Sequence, residues 1–251
     1  MKYSRITYVF IALGILVISA YIIFSIITFT KSDNNILCKD LHIYFPENEN
    51  PQLVTRAEIL TALTNAGIHP IGELYKNVNT DKIETELLKN KMLKSVECFK
   101  TPSGEIYLKV IQRQPQYILA GTQCFYVDTE KEIMPVSLNH AFYIPVASGF
   151  ITLNMAKGEL FDFISFVNKS EFWSTQIEQV YMRPDKTIEL IPRVGDALIY
   201  MGNLVNYKTK LKNLEILFKH GFTQISWERY SVIDLQFDNQ IVCTKKSDVK
   251  S

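Results

Sequence analysis

The sequence predicts an α+β protein in which a single N-terminal transmembrane helix precedes two folded units. Three observations predict it: an uncharged apolar run near the N-terminus, a strand–helix–helix–strand–strand order after it, and then short extended segments interrupted by two helices. The expected organisation is a cytoplasmic tail (1–5), a transmembrane helix (6–29), a linker (30–35), a first unit (36–114), a second unit (115–246) and a C-terminal tail (247–251).

The apolar run extends from Ile6 to Phe29 and contains no charged residue. As a helix rising about 1.5 Å per residue, it is long enough to cross a hydrocarbon core of about 30 Å. A cleaved signal peptide is the alternative, but its apolar region is usually about 7–15 residues long and ends at small residues. The segment Ile27–Thr30 offers no such cleavage site. We therefore expect an uncleaved anchor.

The first unit opens with an alternating apolar pattern that predicts a strand from Leu37 to Phe45. Thr55 and Glu58 form a capping-box pattern that predicts a helix start, and Gly67 is placed to end that helix. The helix positions expected to face inward are Ile59, Leu60, Leu63 and Ala66.

A second helix is predicted to begin near Thr80 or Asp81, with Asp81 as its cap supported by Glu84, and to end near Asn90. A hairpin follows, with strands 95–101 and 105–112 around a Pro-Ser-Gly turn. This order of elements is the pattern of a POTRA domain (β-α-α-β-β), a small module that docks proteins through sheet edges, although other α+β modules share it.

The second unit is predicted to be a mostly antiparallel β domain with two helices, one near Gly158–Lys169 and one near Lys208–Lys219. The apolar stripes of both helices are typical of core packing. The segments expected to be strands are Cys124–Asp128, Ile188–Arg193, Ala197–Met201, Val232–Phe237 and Gln240–Thr244.

Composition and motifs favour a protein-binding role over catalysis. The 27 basic and 26 acidic residues nearly balance, whereas a nucleic-acid binder needs a basic excess. No G-x-S-x-G elbow is present, and the S-x-x-K match at Ser247 and Lys250 lies in a charged tail that cannot pre-organise a nucleophile. We expect no enzyme, no cofactor and no metal site.

Histidines and cysteines show no catalytic or metal-binding spacing. The four histidines are isolated along the chain: His42, His69, His140 and His220. The four cysteines permit disulfides outside the cytoplasm, in any of three pairings, or are small buried side chains. They are Cys38, Cys98, Cys124 and Cys243.

Short motifs at Val110–Pro115, Phe125–Asp128 and Tyr143–Gly149, followed by others further on, resemble those of the FtsQ/DivIB family of bacterial cell-division proteins. At the junction, Val110–Pro115 resembles the V-x-E/Q-R-x-P stretch that leaves the family's POTRA domain. Phe125–Asp128 is similar to Y-I-D-x-x-G, with Lys131 or Glu132 where glycine is common, and Tyr143–Gly149 is similar to the P-V-x-x-G step.

Four further stretches match the family in order: Phe172-Trp173, Ile177–Val180, Glu189–Gly195 and Ile233–Val242. The last of them is similar to I-D-L-R-Y-x-N-Q-V-V. In that motif Gln236 replaces the usual arginine and Phe237 the usual tyrosine, so any polar role of those two positions is in doubt.

The resemblance implies a non-enzymatic scaffold of the division machinery in the inner membrane at the septum. Its N-terminus is expected in the cytoplasm and its bulk in the periplasm. Lys2, Arg5 and the amino terminus before the helix barely outnumber Lys31 and Lys39 after it, so the orientation depends on the resemblance. The implied partners are FtsB/DivIC and FtsL, bound through the last strands of the β domain, while the POTRA domain contributes to septal recruitment. The alternative is a POTRA-bearing envelope secretion or assembly factor that guides client polypeptides.

The last two predicted strands indicate where a partner binds. They flank Asp238-Asn239, which predicts a two-residue hairpin turn. The final strand would be a sheet edge with unpaired backbone groups, ready for a partner strand unless its lysines blunt it. The direction in which the Val242 amide points is open. The predicted partner-binding residues, which we call the edge site, are Phe237, Gln240, Ile241, Val242, Cys243, Thr244 and Lys245.

Overall fold

The computed structural model describes residues 5–30, 36–46, 53–137, 139–222, 227–237 and 240–246. It begins with helix α1 (Arg5–Thr30), along which large apolar side chains between Phe10 and Ile26 are exposed. Within the described residues, no helix combines the length and the apolar character needed to cross a membrane. The transmembrane helix stays a prediction of the sequence.

The first unit has the predicted strand–helix–helix–strand–strand order. Its elements are β1 (Leu41–Tyr44), α2 (Arg56–Asn65), α3 (Thr80–Leu87), β2 (Leu93–Lys100) and β3 (Ile106–Gln112). The strands form a sheet in the order β1-β3-β2, in which β1 is parallel and β2 antiparallel to β3. The buried faces of α2 and α3 close one core with this sheet.

Helix α2 starts as the sequence predicts. The Thr55 side chain accepts from the Glu58 amide at 3.2 Å, and the Glu58 carboxylate accepts from the Thr55 amide at 2.7 Å. Because the two bonds satisfy two otherwise unpaired backbone donors, they set the first residue of the helix. Gly67 follows with a φ of 65°, the left-handed conformation expected after a helix end.

Two predicted details of α3 and α2 are wrong. The cap of α3 is Asn79, whose side chain accepts from the Lys82 amide at 2.9 Å, and not Asp81. Glu84 accepts from the Cys98 amide at 2.6 Å and so joins α3 to β2. Ala66 is exposed, because α2 ends before that position turns inward.

The first strand is shorter than predicted. Leu37 is 52% exposed and forms only an isolated bridge with Leu74. The backbone around Leu37 forms hydrogen bonds with the loop between α2 and α3. The Cys38 amide donates to Glu73 O, and the Tyr75 amide donates to Ile36 O, each at 2.9 Å. Regular pairing with β3 therefore begins only at Leu41.

Among its described residues, the second unit contains one nine-stranded sheet and more helices than predicted. Its strands are β4 (Pro115–Leu119), β5 (Phe125–Asp128), β6 (Ile133–Pro135), β7 (Val146–Gly149), β8 (Ile177–Met182), β9 (Ile188–Pro192), β10 (Leu198–Gly202), β11 (Tyr230–Asp234) and β12 (Val242–Lys245). Its helices are α4 (Leu153–Lys157), α5 (Glu159–Lys169), α6 (Glu171–Gln176) and α7 (Tyr207–Ile216), which continues as a π-helical turn, Leu217–Gly221. A 3₁₀ turn, Trp227–Arg229, precedes β11.

Helices α5 and α7 confirm the two predicted helices, while α4 and α6 were missed because each is too short to show an apolar period. The described strands follow the order β12-β11-β10-β9-β8-β7-β4-β5-β6. Three neighbouring pairs are parallel (β4–β7, β7–β8 and β10–β11), and the other five are antiparallel. The prediction of a mostly antiparallel sheet is confirmed.

Strands β4 to β6 bury both of their faces, and this joins the two units. Because successive strand residues point to opposite faces, Tyr117 and Val127 enter the core under α5. Tyr126 and Met134 enter the core of the first unit. A hydrogen bond also crosses the boundary between the two units, in which Ser137 Oγ donates to Leu53 O at 3.0 Å.

The junction also contains a buried ion pair. Arg113 Nη1 lies 2.7 Å from Asp128 Oδ2, and Asp128 is 1% exposed. The other Asp128 oxygen accepts from the amides of Glu130 and Glu132. Lys131 adopts a φ of 67°, the conformation that favours glycine, so it makes the turn at the position where the family pattern has glycine.

Gly149 explains the end of the Tyr143–Gly149 motif. Its φ is 95°, and an added Cβ would lie 2.1 Å from the Met182 carbonyl oxygen of the neighbouring strand. Only a residue without a side chain fits there.

We predict that Gly149→Ala lowers the free energy of unfolding by at least about 2 kcal/mol, because a backbone clash adds to an unfavourable φ. Urea denaturation followed by circular dichroism measures this. The matched control is Gly121→Ala, whose Cβ would meet only Gln123 O at 3.7 Å, with an expected change within about 0.5 kcal/mol. Equal effects of the two substitutions would contradict the explanation.

Glu58 couples helix capping to the unit boundary, since its carboxylate also accepts from Asn139 Nδ2 at 3.0 Å. The hydrogen bond from the Thr55 backbone amide lowers the pKa of Glu58 below 4.5 and outweighs the opposing effect of burial. The hydrogen bonds from the Asn139 side chain and the Thr55 hydroxyl lower this pKa further, by smaller amounts. A lowered pKa means that the ionised carboxylate stabilises the fold above pH 4.5, and that this contribution is lost as the pH falls through the folded-state pKa.

Glu58→Gln should therefore destabilise the protein at neutral pH and make a smaller difference below pH 4.5. Unfolding free energies of both proteins across that range test this. Glu97→Gln serves as the control, because its pair with Lys109 is exposed and contributes little. A pH-independent effect of Glu58→Gln would be the contrary result.

Candidate functional site at the edge of the large sheet

Strand β12 lies at one end of the nine-stranded sheet and pairs with β11 on one side. The register places Asp234 opposite Val242, Ile233 opposite Cys243 and Val232 opposite Thr244. The sequence prediction that the last strand is an antiparallel edge strand therefore holds for the described residues. β6 is the strand at the opposite end, and its Met134 is buried in the core of the first unit.

The predicted two-residue turn is wrong in its register. A turn at residues 238 and 239 would place Asp234 opposite Cys243, but the structure pairs Asp234 with Val242. Pairing stops at that pair, so residues 235–241 connect the strands. Asp238 and Asn239 themselves lie outside the described residues.

Backbone bonds on both sides of the hairpin decide which amides of β12 are available. The Lys246 amide donates to Arg229 O at 2.8 Å, and the Leu235 amide donates to Tyr200 O of β10 at 2.9 Å. Because alternate residues of a strand point their amides to the same side, Val242 and Thr244 direct theirs to β11. Cys243 and Lys245 therefore direct their amides to the open edge.

The side chains of the edge site divide between core and solvent. Ile241 and Cys243 are half-buried and pack against the main core. Val242 and Thr244 are exposed on the other face, and Lys245 is exposed. Burial raises the pKa of the Cys243 thiol, so at neutral pH this side chain is a neutral packing group.

Phe237 and Gln240 lie outside β12, in the connection, and face a groove of about 330 Å³ beside it. Phe237 is 49% exposed. The far wall of this groove was not predicted from the sequence, although its polar residues recur at helical spacing, which is the signal that could have revealed it. They are Asn206, Thr209, Lys210 and Asn213.

Over the described ranges, no group of three or more His, Cys, Asp or Glu side chains could hold a metal ion. The four cysteines are free thiols, and burial raises the pKa of Cys98 to about 12. His42 stacks on Tyr107 with its Nε2 3.7 Å from Asp40, so it is less isolated in space than in sequence.

Comparison with known families covers both units. The model of the FtsQ/DivIB, C-terminal related, family matches residues 116–244, more than half of the chain. This chain belongs to the FtsQ/DivIB family. A POTRA-like domain model matches residues 36–111, in agreement with the element order of the first unit. Among curated proteins, none matches the sequence.

Membership of the FtsQ/DivIB family indicates a scaffold role in cell division, through protein–protein interactions within the division machinery. The matched range ends at Thr244, so the FtsQ/DivIB match includes most of β12 and the edge site. The chain therefore carries the edge strand within its family-defining domain.

Hydrogen exchange tests the amide assignment. We predict that the amides of Val242 and Thr244 exchange at least about tenfold more slowly than those of Cys243 and Lys245, after correction for intrinsic exchange rates. The reason is that only the amides of Val242 and Thr244 donate hydrogen bonds to β11. Residue-resolved exchange by NMR measures this. Slow exchange at Cys243 and Lys245 would reverse the assignment.

Proposed function

We propose that this protein is a non-enzymatic, membrane-anchored scaffold of the bacterial division machinery that binds FtsB/DivIC, together with FtsL, through strand pairing at β12. The observation that carries the proposal is the open edge of β12, at which Cys243 and Lys245 direct their amides outward. An added partner strand would satisfy these donors and give main-chain affinity, while side-chain grooves give specificity.

The surface beside β12 supports strand addition. Val242 is 41% exposed on one face of the strand, and Phe237 borders the groove against α7. The Lys246 ammonium group lies 3.1 Å from the Asp196 carboxylate, which precedes β10, so its charge is directed away from the open edge of β12. Lys245 is the basic residue at the end of β12, and a single lysine does little to prevent another strand from pairing with an open edge.

On this proposal, helix α1 is the membrane anchor of the scaffold. The apolar side chains exposed along α1 between Phe10 and Ile26 are those that a helix buried in lipid presents. On this proposal the N-terminus is cytoplasmic and the two units lie outside the inner membrane at the septum. Partners anchored in the same membrane then meet the edge site at a high effective concentration.

Proline substitution at the outward amides tests the binding mode. We predict that Cys243→Pro in the full-length protein weakens binding of the FtsB/DivIC–FtsL complex at least about fivefold, since one hydrogen bond contributes about 1 kcal/mol. Lys245→Pro should act in the same direction. Both leave the ladder to β11 intact, as proline is tolerated where the amide faces out of an edge strand. Binding is measured by calorimetry in detergent.

The matched controls are Cys243→Ala and Lys245→Ala, which keep the amides and should bind within about twofold of the natural protein. Circular dichroism confirms that each variant is folded. If both proline variants bind as tightly as their alanine partners, strand pairing at β12 is refuted.

The POTRA-like first unit also fits an envelope secretion or assembly factor that guides client polypeptides. A fluorescent fusion distinguishes the two roles. A ring at mid-cell supports the division scaffold, whereas a uniform envelope signal supports the alternative.

A further inference from the structure

Arg193 follows β9 and is held in place by its backbone and by an aromatic ring. Its amide donates to Gln176 O at 2.8 Å. Its guanidinium carbon lies 3.7 Å from the centre of the Tyr143 ring, which comes from the connection between β6 and β7. At this distance the ring attracts the cation and covers one face of the planar guanidinium.

One edge of the same guanidinium is unpaired. Arg193 Nε and Nη2 are both buried, and neither has a hydrogen-bond acceptor among the described residues. The N–H groups of these two atoms lie on one side of the guanidinium and point the same way. They form the fork that binds the two oxygens of a carboxylate.

Arg183, at the other end of the β8–β9 hairpin, is a second arginine near an aromatic ring, and its carboxylate partner is present, bound through Nη1. Its guanidinium lies 5.5 Å from the Tyr200 ring, and its Nη1 donates to Glu189 Oε1 at 2.7 Å. Arg193 has the closer ring, but no described carboxylate forms an ion pair with it. The chain thus supplies the aromatic half of this arrangement at Arg193 and leaves the anionic half open.

The covering ring is mostly exposed to solvent. Tyr143 is 76% exposed, so rotating its side chain sacrifices little buried surface.

We propose that Arg193, covered by Tyr143, is a binding site for a carboxylate carried by a peptide, either on a Glu or Asp side chain or at a C-terminus. Nε and Nη2 donate one hydrogen bond to each carboxylate oxygen, and the Tyr143 ring moves to admit the ligand and then packs on the guanidinium. The site is separate from β12 and does not depend on the role proposed for the edge site.

Titration of the full-length protein, labelled with ¹⁵N at arginine, tests the site. The probes are acetyl-Ala-Ala-Glu-amide, acetyl-Ala-Ala-Ala with a free C-terminus, and the neutral acetyl-Ala-Ala-Ala-amide. We expect a saturable shift of the Arg193 Nε–H signal with a charged probe and none with the neutral one. The stronger of the two charged probes identifies the source of the carboxylate.

Variants compared by calorimetry separate the fork from simple charge. Arg193→Lys keeps the charge but lacks the fork, and it should lose at least tenfold in affinity. Tyr143→Phe should bind like the natural protein, and Tyr143→Ala more weakly. The matched control is Arg183→Lys, which should leave binding unchanged because Glu189 already occupies that arginine.

Several results would overturn the proposal. They are the absence of a saturable shift with both charged probes, equal binding by Arg193→Lys, and equal binding of the neutral peptide. Competition by inorganic phosphate as strong as that by propionate would show a general anion site and would also refute it. Arg193→Gln replaces Arg193→Lys if circular dichroism shows that the lysine variant is unfolded.

Discussion

The two-sided burial of β4, β5 and β6 is the constraint on which the arrangement of the protein depends. A strand residue and its neighbour point to opposite faces, so Tyr126 can enter the core of the first unit while Val127 enters that of the second. Sliding one unit against the other would expose both sets of side chains. The buried Arg113–Asp128 pair reinforces this junction, since separating its partners would leave an uncompensated charge in the interior.

This junction also explains why the two ends of the large sheet differ. The β6 end is taken up by the first unit, whose Leu53 carbonyl accepts from Ser137. At the β12 end, Cys243 and Lys245 direct their amides away from β11. Because one end of the sheet is covered and the other is open, a partner strand can be added at one defined edge only, which suits a scaffold.

Departures from common patterns are compensated locally. Lys131 adopts the backbone conformation of a glycine, and its ammonium group meets Asp162 at 3.2 Å and lies 4.7 Å from the centre of the Phe161 ring. Its long side chain thus gains contacts that a glycine would lack, which offset the strained φ. Gly149 is the opposite case, where the neighbouring carbonyl excludes any side chain.

Local sequence signals determined much of the protein: the Thr55–Glu58 capping box, helices α5 and α7, the order of elements along the first unit, and an extended segment at Gln240–Thr244 all follow from neighbours within a few residues. Such signals act through short-range hydrogen bonds and apolar periodicity, which the sequence displays directly. Only the tertiary structure decided that Asp234 pairs with Val242. It alone placed the amides of Cys243 and Lys245 outward and the Tyr143 ring over Arg193. These features join residues far apart along the chain or depend on register, and a shift of one residue in register reverses every amide and side chain of a strand.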